Sequence, residues 1–332
     1  MKVAISGFRH GHVVGMTRLI REHPDLEIVA VAEEDPQACA DYLSRADVAV
    51  THPDFDSVIR GVDFDILAVG DVYAKRGRQV IRALEAGKHV ISDKPLCTRL
   101  DECGRIRDLA RAHGLAVFVW LSLRYEPAWQ TARRLILAGQ IGEVVSVYAA
   151  GPHRLAYRAG RPDWYFAPGQ HGGIINDLMI HAVDATGWLT GQPIVEIVAA
   201  RAWNAGLPEV PFFQDASQAL LRLGNDAGVV LDCCYKAVAG HAAPWVFDIW
   251  GATGRLRLHG GAGIALQLPD EPQQRIEATP DSAATPIAEF VAEIAGRSSA
   301  APVLTTEESL ESSRQALLVQ QAADEGRTHV TV

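Results

Sequence analysis

The first 121 residues repeat one pattern: a short aliphatic, β-branched run followed by a longer stretch with apolar residues at helical spacing. The runs fall at 3–6, 26–32, 48–51, 66–69, 89–92 and 116–121, and the helical stretches include 13–22, 80–86 and 100–113. Strands separated by helices cannot pair as hairpins. They line up in parallel, with helices covering both faces of the sheet. Pro36, after the second run, suits the first turn of a helix, where a missing N–H costs nothing.

From about Arg124 the pattern changes. A helix is expected at 128–137 and a strand at 142–149, then an irregular stretch at 154–166 rich in Arg, Tyr and Trp. Alternating apolar and polar residues at 218–223, 228–234, 246–249 and 255–258 read as antiparallel strands. Two helices close the chain, at 286–296 and 306–325. A length of 332 residues is long for one core, so two domains are expected, 1–121 and 122–332. A net charge of −9 argues against general nucleic-acid binding, and no apolar run approaches a membrane span. The five cysteines form no Cys-x-x-Cys pair, so neither a disulfide framework nor a cysteine zinc site is expected. The reading is a reduced, cytoplasmic protein.

In a parallel sheet the first strand-to-helix turn is the natural phosphate site, because a helix N-terminus presents unpaired N–H groups and partial positive charge. Here it reads Gly7-Phe8-Arg9-His10-Gly11-His12. Against the G-x-G-x-x-G pattern only Gly7 is in place, with Arg9 and His12 where glycines would stand. Either this is a plain strand-turn-helix, or Arg9, His10 and His12 meet phosphate with side chains. Glu33 ends the second run about 20 residues on, where a carboxylate would accept hydrogen bonds from ribose hydroxyls. Glu34 beside it would repel a 2′-phosphate, which favours NAD over NADP.

Lys94 ends the run at 89–92 and precedes Pro95. It is either a strand-end lysine on the surface or an ammonium aimed at a ligand. Asp177 and His181 are four apart and Asp184 three further, so a helix would set all three on one face. A carboxylate beside an imidazole raises its basicity. No further His or Cys lies near in sequence, so no metal site is expected there.

The stretch from Ala83 to Leu96, Ala-Leu-Glu-Ala-Gly-Lys-His-Val-Ile-Ser-Asp-Lys-Pro-Leu, resembles the Gfo/Idh/MocA family of NAD(P)-dependent oxidoreductases. So do Leu123-Arg124-Tyr125-Glu126-Pro127, Ala138-Gly139-Gln140-Ile141-Gly142 and the block from Gly172 to Gly191. The resemblance implies an N-terminal Rossmann domain and a C-terminal α/β domain with an open, mostly antiparallel sheet. It implies hydride transfer between NAD and a carbinol carbon of a sugar, cyclitol or related polyol, with Lys94 and His181 handling the hydroxyl proton and Asp177 assisting. Gly7, Phe8, Arg9, His10, His12, Glu33, Asp71, Arg76 and Asp93 would join Lys94 around the cofactor. Arg124, Tyr125, Arg154, Tyr157 and Trp164 would join Asp177 and His181 around the substrate. Pro95 would follow a cis peptide, and the sheet's open face would pack a homodimer or homotetramer. Two departures stand out: Asp93 replaces a glutamate, and Asp71-Val72-Tyr73-Ala74-Lys75-Arg76 replaces Thr-Pro-x-x-x-His. A redox-neutral NAD enzyme (epimerase, dehydratase or glycosidase-like) and a non-catalytic binding protein are the competing readings.

Overall fold

A computed structural model describes all residues except 159, 236–244, 261–262, 281–284 and 298–301. The chain forms two compact units: Met1–Trp120 with Pro162–Gly172 and Ala284–Arg314, and Leu121–Arg161 with Gly173–Ala283 and Gln315–Val332.

The first unit is built on a parallel sheet of β1 (Lys2–Ser6), β2 (Glu27–Ala32), β3 (Ile66–Val69), β4 (His89–Ser92) and β5 (Val117–Val119), in the order β2-β1-β3-β4-β5. Every residue of β3 is buried, as expected of a strand covered on both sides. Helices His12–Glu22, Tyr73–Glu85 and Leu100–His113 cross between strands. The last ends on Gly114, whose φ of 62° stops it in the left-handed conformation that glycine adopts cheaply. The strand expected at 48–51 does not form. That segment has no regular structure and meets β2 through an isolated bridge at His52 and hydrogen bonds between Thr51 and Val31, so the sheet has five strands rather than six. The late segment Ala284–Arg314 belongs to this unit: Phe290 packs against Phe118 of β5, and Ser309 Oγ accepts the Val119 N–H.

The second unit carries a nine-stranded sheet in the order β13-β12-β11-β10-β6-β9-β8-β7-β14. Its members are β6 (Val144–Pro152), β7 (Ile194–Trp203), β8 (Ala216–Leu223), β9 (Gly228–Cys234), β10 (Val246–Gly251), β11 (Gly254–His259), β12 (Gly263–Gln267), β13 (Gln274–Ile276) and β14 (Val330–Thr331). All neighbours are antiparallel except β6 and β9. Strand alternation sorts its side chains. Val147, Ala149, Val229, Leu231, Ala219, Leu221, Phe247 and Ile249 are buried, and Trp129 of helix Pro127–Leu137 meets Phe247 edge-on at 4.9 Å. On the other face Tyr148, Val230, Leu220 and Trp250 are exposed.

Candidate active site

The order β2-β1-β3 places a topological switch at the C-terminal ends of β1 and β3, where open parallel sheets bind ligands. A cleft of about 490 Å³ opens there, bounded by Ser6, Gly7, Glu33, Glu34, Asp71 and Lys75 among others. Gly7 has φ +83°, and a Cβ on it would stand 2.5 Å from the Asp71 Cα, so the turn and the end of β3 touch backbone to backbone. That close approach is what a nucleotide turn requires of its first glycine.

The rest of the turn is used differently from a glycine-rich one. The N–H groups of Gly7, Phe8 and Arg9 are spent inside the unit, on Ala32 O (2.9 Å), Glu33 Oε2 (2.6 Å) and Gly70 O (2.9 Å). Phe8 itself is fully buried. Arg9 folds back to pair with Glu33 (2.7 Å) and Asp35 (2.9 Å). Glu33 Oε1 also accepts the Asp35 N–H at 2.8 Å. Glu33 therefore borders the cleft as a neutralised carboxylate. Asp71 borders it too, holding the Gln79 amide at 2.7 Å.

Lys94 stands just past β4, and its peptide bond to Pro95 is cis. It is 5% exposed, so it is no surface lysine. Its ammonium lies 6.0 Å from the centre of the Tyr73 ring, in the range of a cation–π contact. Arg76 sits beneath the loop and is wholly buried. Its guanidinium donates to Asp71 O (2.7 Å), Asp93 O (2.8 Å) and Pro95 O (3.1 Å), and to Asp93 Oδ2 at 3.2 Å. Arg76, expected at the cofactor, braces the lysine loop. Asp93 also meets His10 Nδ1 at 3.1 Å and His12 Nδ1 at 3.0 Å. Burial opposes charge on Asp93, yet His10, Arg76 and His12 together hold its carboxyl well below the usual range. Burial, aided by His12, pushes His10 down to about 3.

Tyr73 was not singled out by sequence, although it organises this region. Fully buried, it contacts Trp164 (5.0 Å), Tyr165 (5.9 Å) and His171 (5.7 Å). Trp164 thus belongs to the first unit, and its buried indole N–H has no hydrogen-bond partner among the described residues.

In the second unit Asp177 lies in a π-helical turn, Ile175–Met179, which runs directly into helix Ile180–Thr190 carrying His181 and Asp184. Widened turns of this kind re-aim side chains and recur at functional positions. Asp177 and His181 are both buried. Asp177 accepts a hydrogen bond from Tyr235 Oη, and the His181 ring lies 6.0 Å from that of Trp245. Tyr235, at the end of β9, was also missed. Asp184 binds Arg124 through contacts of 2.7–3.1 Å, both partners being buried. Arg124, expected at the substrate, forms that pair. Tyr125 and Tyr157 are half-buried and Arg154 is exposed; Arg158 stacks 5.0 Å above the Tyr157 ring.

Residues 1–121 match the family model described as an oxidoreductase family with an NAD-binding Rossmann fold, and residues 129–257 match that of the Gfo/Idh/MocA C-terminal domain. The chain is 27% identical over 242 residues to inositol 2-dehydrogenase 2 of Saccharopolyspora erythraea, an alignment covering 72% of this chain and 68% of that protein. It is 26% identical over 251 residues to inositol 2-dehydrogenase of Acidothermus cellulolyticus, covering 75% and 70% respectively. Its fold is that of an inositol dehydrogenase homologue from Azotobacter vinelandii crystallised with NAD+, at a TM-score of 0.83 and 17% identity, covering 100% of this chain and 97% of the other.

Proposed function

Because this chain belongs to the Gfo/Idh/MocA family of oxidoreductases, we propose that it is an NAD-dependent dehydrogenase acting on a carbinol carbon of a cyclitol, sugar or related polyol. The observation that carries this reading is the setting of Lys94: a buried ammonium on a loop braced by Arg76, at the same strand ends as the cleft. The polyol class is supported by the inositol dehydrogenases to which the chain is similar.

Gly7, Glu33, Glu34 and Asp71 line the cleft that fits the adenosine side of the cofactor. Bound NAD would supply the hydride acceptor. Lys94 Nζ donates to the reacting oxygen, which favours the alkoxide-like charge that builds as hydride leaves its carbon. His181 takes the hydroxyl proton, and Asp177, held by Tyr235, orients it. Glu33 and Glu34 border the cleft as carboxylates paired with Arg9 and Lys75, which supports NAD over NADP. Calorimetric titration with each dinucleotide checks this: tighter NADP binding contradicts the assignment. The protein is assigned to the cytoplasm and to a homodimer or homotetramer joined through the open sheet face.

A further inference from the structure

Three side chains that the hydride transfer does not use as a set meet where the first strand-to-helix turn approaches the end of β4. They are His10, His12 and Asp93, and one ligand-capable atom of each lies within 4.8 Å of the other two. His12 Nδ1 is 3.0 Å from Asp93 Oδ1, and His10 Nδ1 is 3.1 Å from Asp93 Oδ2. Around a tetrahedral zinc ion with bonds of about 2.0–2.1 Å, neighbouring ligand atoms stand about 3.3 Å apart. Each imidazole is thus at about that distance from one of the Asp93 oxygens, and the three ligand atoms lie within 4.8 Å of one another. Sequence gave no sign of it, because Asp93 is 81 residues from His12.

We propose that His10, His12 and Asp93 bind one divalent transition-metal ion of the zinc class. Two imidazole nitrogens and one carboxylate oxygen suit zinc, copper or nickel, whereas magnesium and calcium want oxygen donors. The side chain of Asp93 is 1% exposed and that of His10 is 12% exposed, whereas that of His12 is 39% exposed. Two ligands are thus fixed in the protein and the third leaves a way in, with a fourth position for water. Asp93 has the outer support that metal carboxylates need, since Arg76 donates to its Oδ2 at 3.2 Å and the two rings touch edge-on at 4.3 Å between centres. The Arg76 guanidinium, the adjoining Lys94 and the N-terminus of helix His12–Glu22 all add positive potential. That field repels an ion held by charge alone and tolerates one held by strong bonds to nitrogen, which sharpens the choice against magnesium. The competing arrangement puts a proton on each Nδ1, so that both rings simply hydrogen-bond to Asp93.

The inference does not depend on the dehydrogenase reading, and its test needs no turnover. The full chain, stripped with a chelator, is titrated with Zn²⁺ and separately with Mg²⁺ by calorimetry, and its Cu²⁺ adduct is studied by electron paramagnetic resonance. One Zn²⁺ per chain is expected, with no Mg²⁺ binding and a copper spectrum split by imidazole nitrogens. His12→Ala should weaken Zn²⁺ binding by about tenfold or more at unchanged melting temperature. His153→Ala, at an exposed histidine elsewhere, should leave it unchanged. No stoichiometric Zn²⁺ binding, equal binding in His12→Ala, or a copper spectrum without nitrogen splitting would overturn the assignment.

Discussion

Tyr235 shows how much of a site a single hydrogen bond can decide. Its hydroxyl donates to Asp177 inside the second unit, so the phenol both satisfies a buried carboxylate and fixes its direction. Tyr235→Phe should cost about 1–3 kcal/mol of stability in urea unfolding, the usual range for removing a hydrogen bond to a buried charged acceptor. It should also lower kcat more than it changes NAD affinity; an unchanged kcat would remove Asp177 from the proposed chemistry. Arg124 presents the opposite case. It pairs with buried Asp184, and Arg124→Ala should destabilise by about 3–5 kcal/mol because a buried carboxylate loses its guanidinium partner. If stability holds while KM for the polyol rises, Arg124 is a substrate residue after all. At this scale the sequence was only partly legible. Lys94, Asp177 and His181 carry recognisable spacing, but Tyr73 and Tyr235 acquire their positions through tertiary packing, and nothing in local spacing marks Tyr235 as a neighbour of a residue 58 positions away.

Elements were more readable than contacts, because periodicity depends on nearest neighbours and caps. Helix Leu100–His113 and strands β3, β4 and β9 lie where the pattern puts them. The run at 48–51 misled, since its apolar residues serve an irregular connection rather than a ladder. The turn at Gly7 shows what a motif can hide. Its first glycine is required by contact with Asp71, while the later positions trade bare backbone for Arg9 and histidine side chains. Gly7→Ala should therefore raise the Kd for NAD about tenfold or more at preserved secondary structure, read by calorimetry and circular dichroism. His89, in the recognisable stretch before Lys94, accepts the Ala116 N–H on Nδ1 at 2.9 Å and so ties the start of β4 to that of β5. Burial lowers its pKa, so the native ring stays neutral where the unfolded one, near 6.5, takes up a proton. Its contribution is intact above that value and declines as pH falls below it. His89→Gln should flatten the drop in melting temperature between pH 7 and 5; an identical pH profile would show that another group sets it.

For the whole molecule, one face of the second unit's sheet carries exposed apolar side chains among the described residues. Tyr148, Val230 and Leu220 are register neighbours across three strands and are 40%, 42% and 41% exposed. Contiguous apolar surface of this kind usually marks an interface, and a homo-oligomer would cover it with a second copy. Val230→Glu should shift sedimentation toward the monomer, and an unshifted assembly would place the interface elsewhere. The proposed chemistry itself has a more direct test. Wild-type protein incubated with NAD+ and a panel of cyclitols and sugars should form NADH at 340 nm with at least one of them. Lys94→Ala should bind NAD+ nearly as well yet lose about 100-fold or more of that rate. NADH formation that persists in Lys94→Ala would contradict the account.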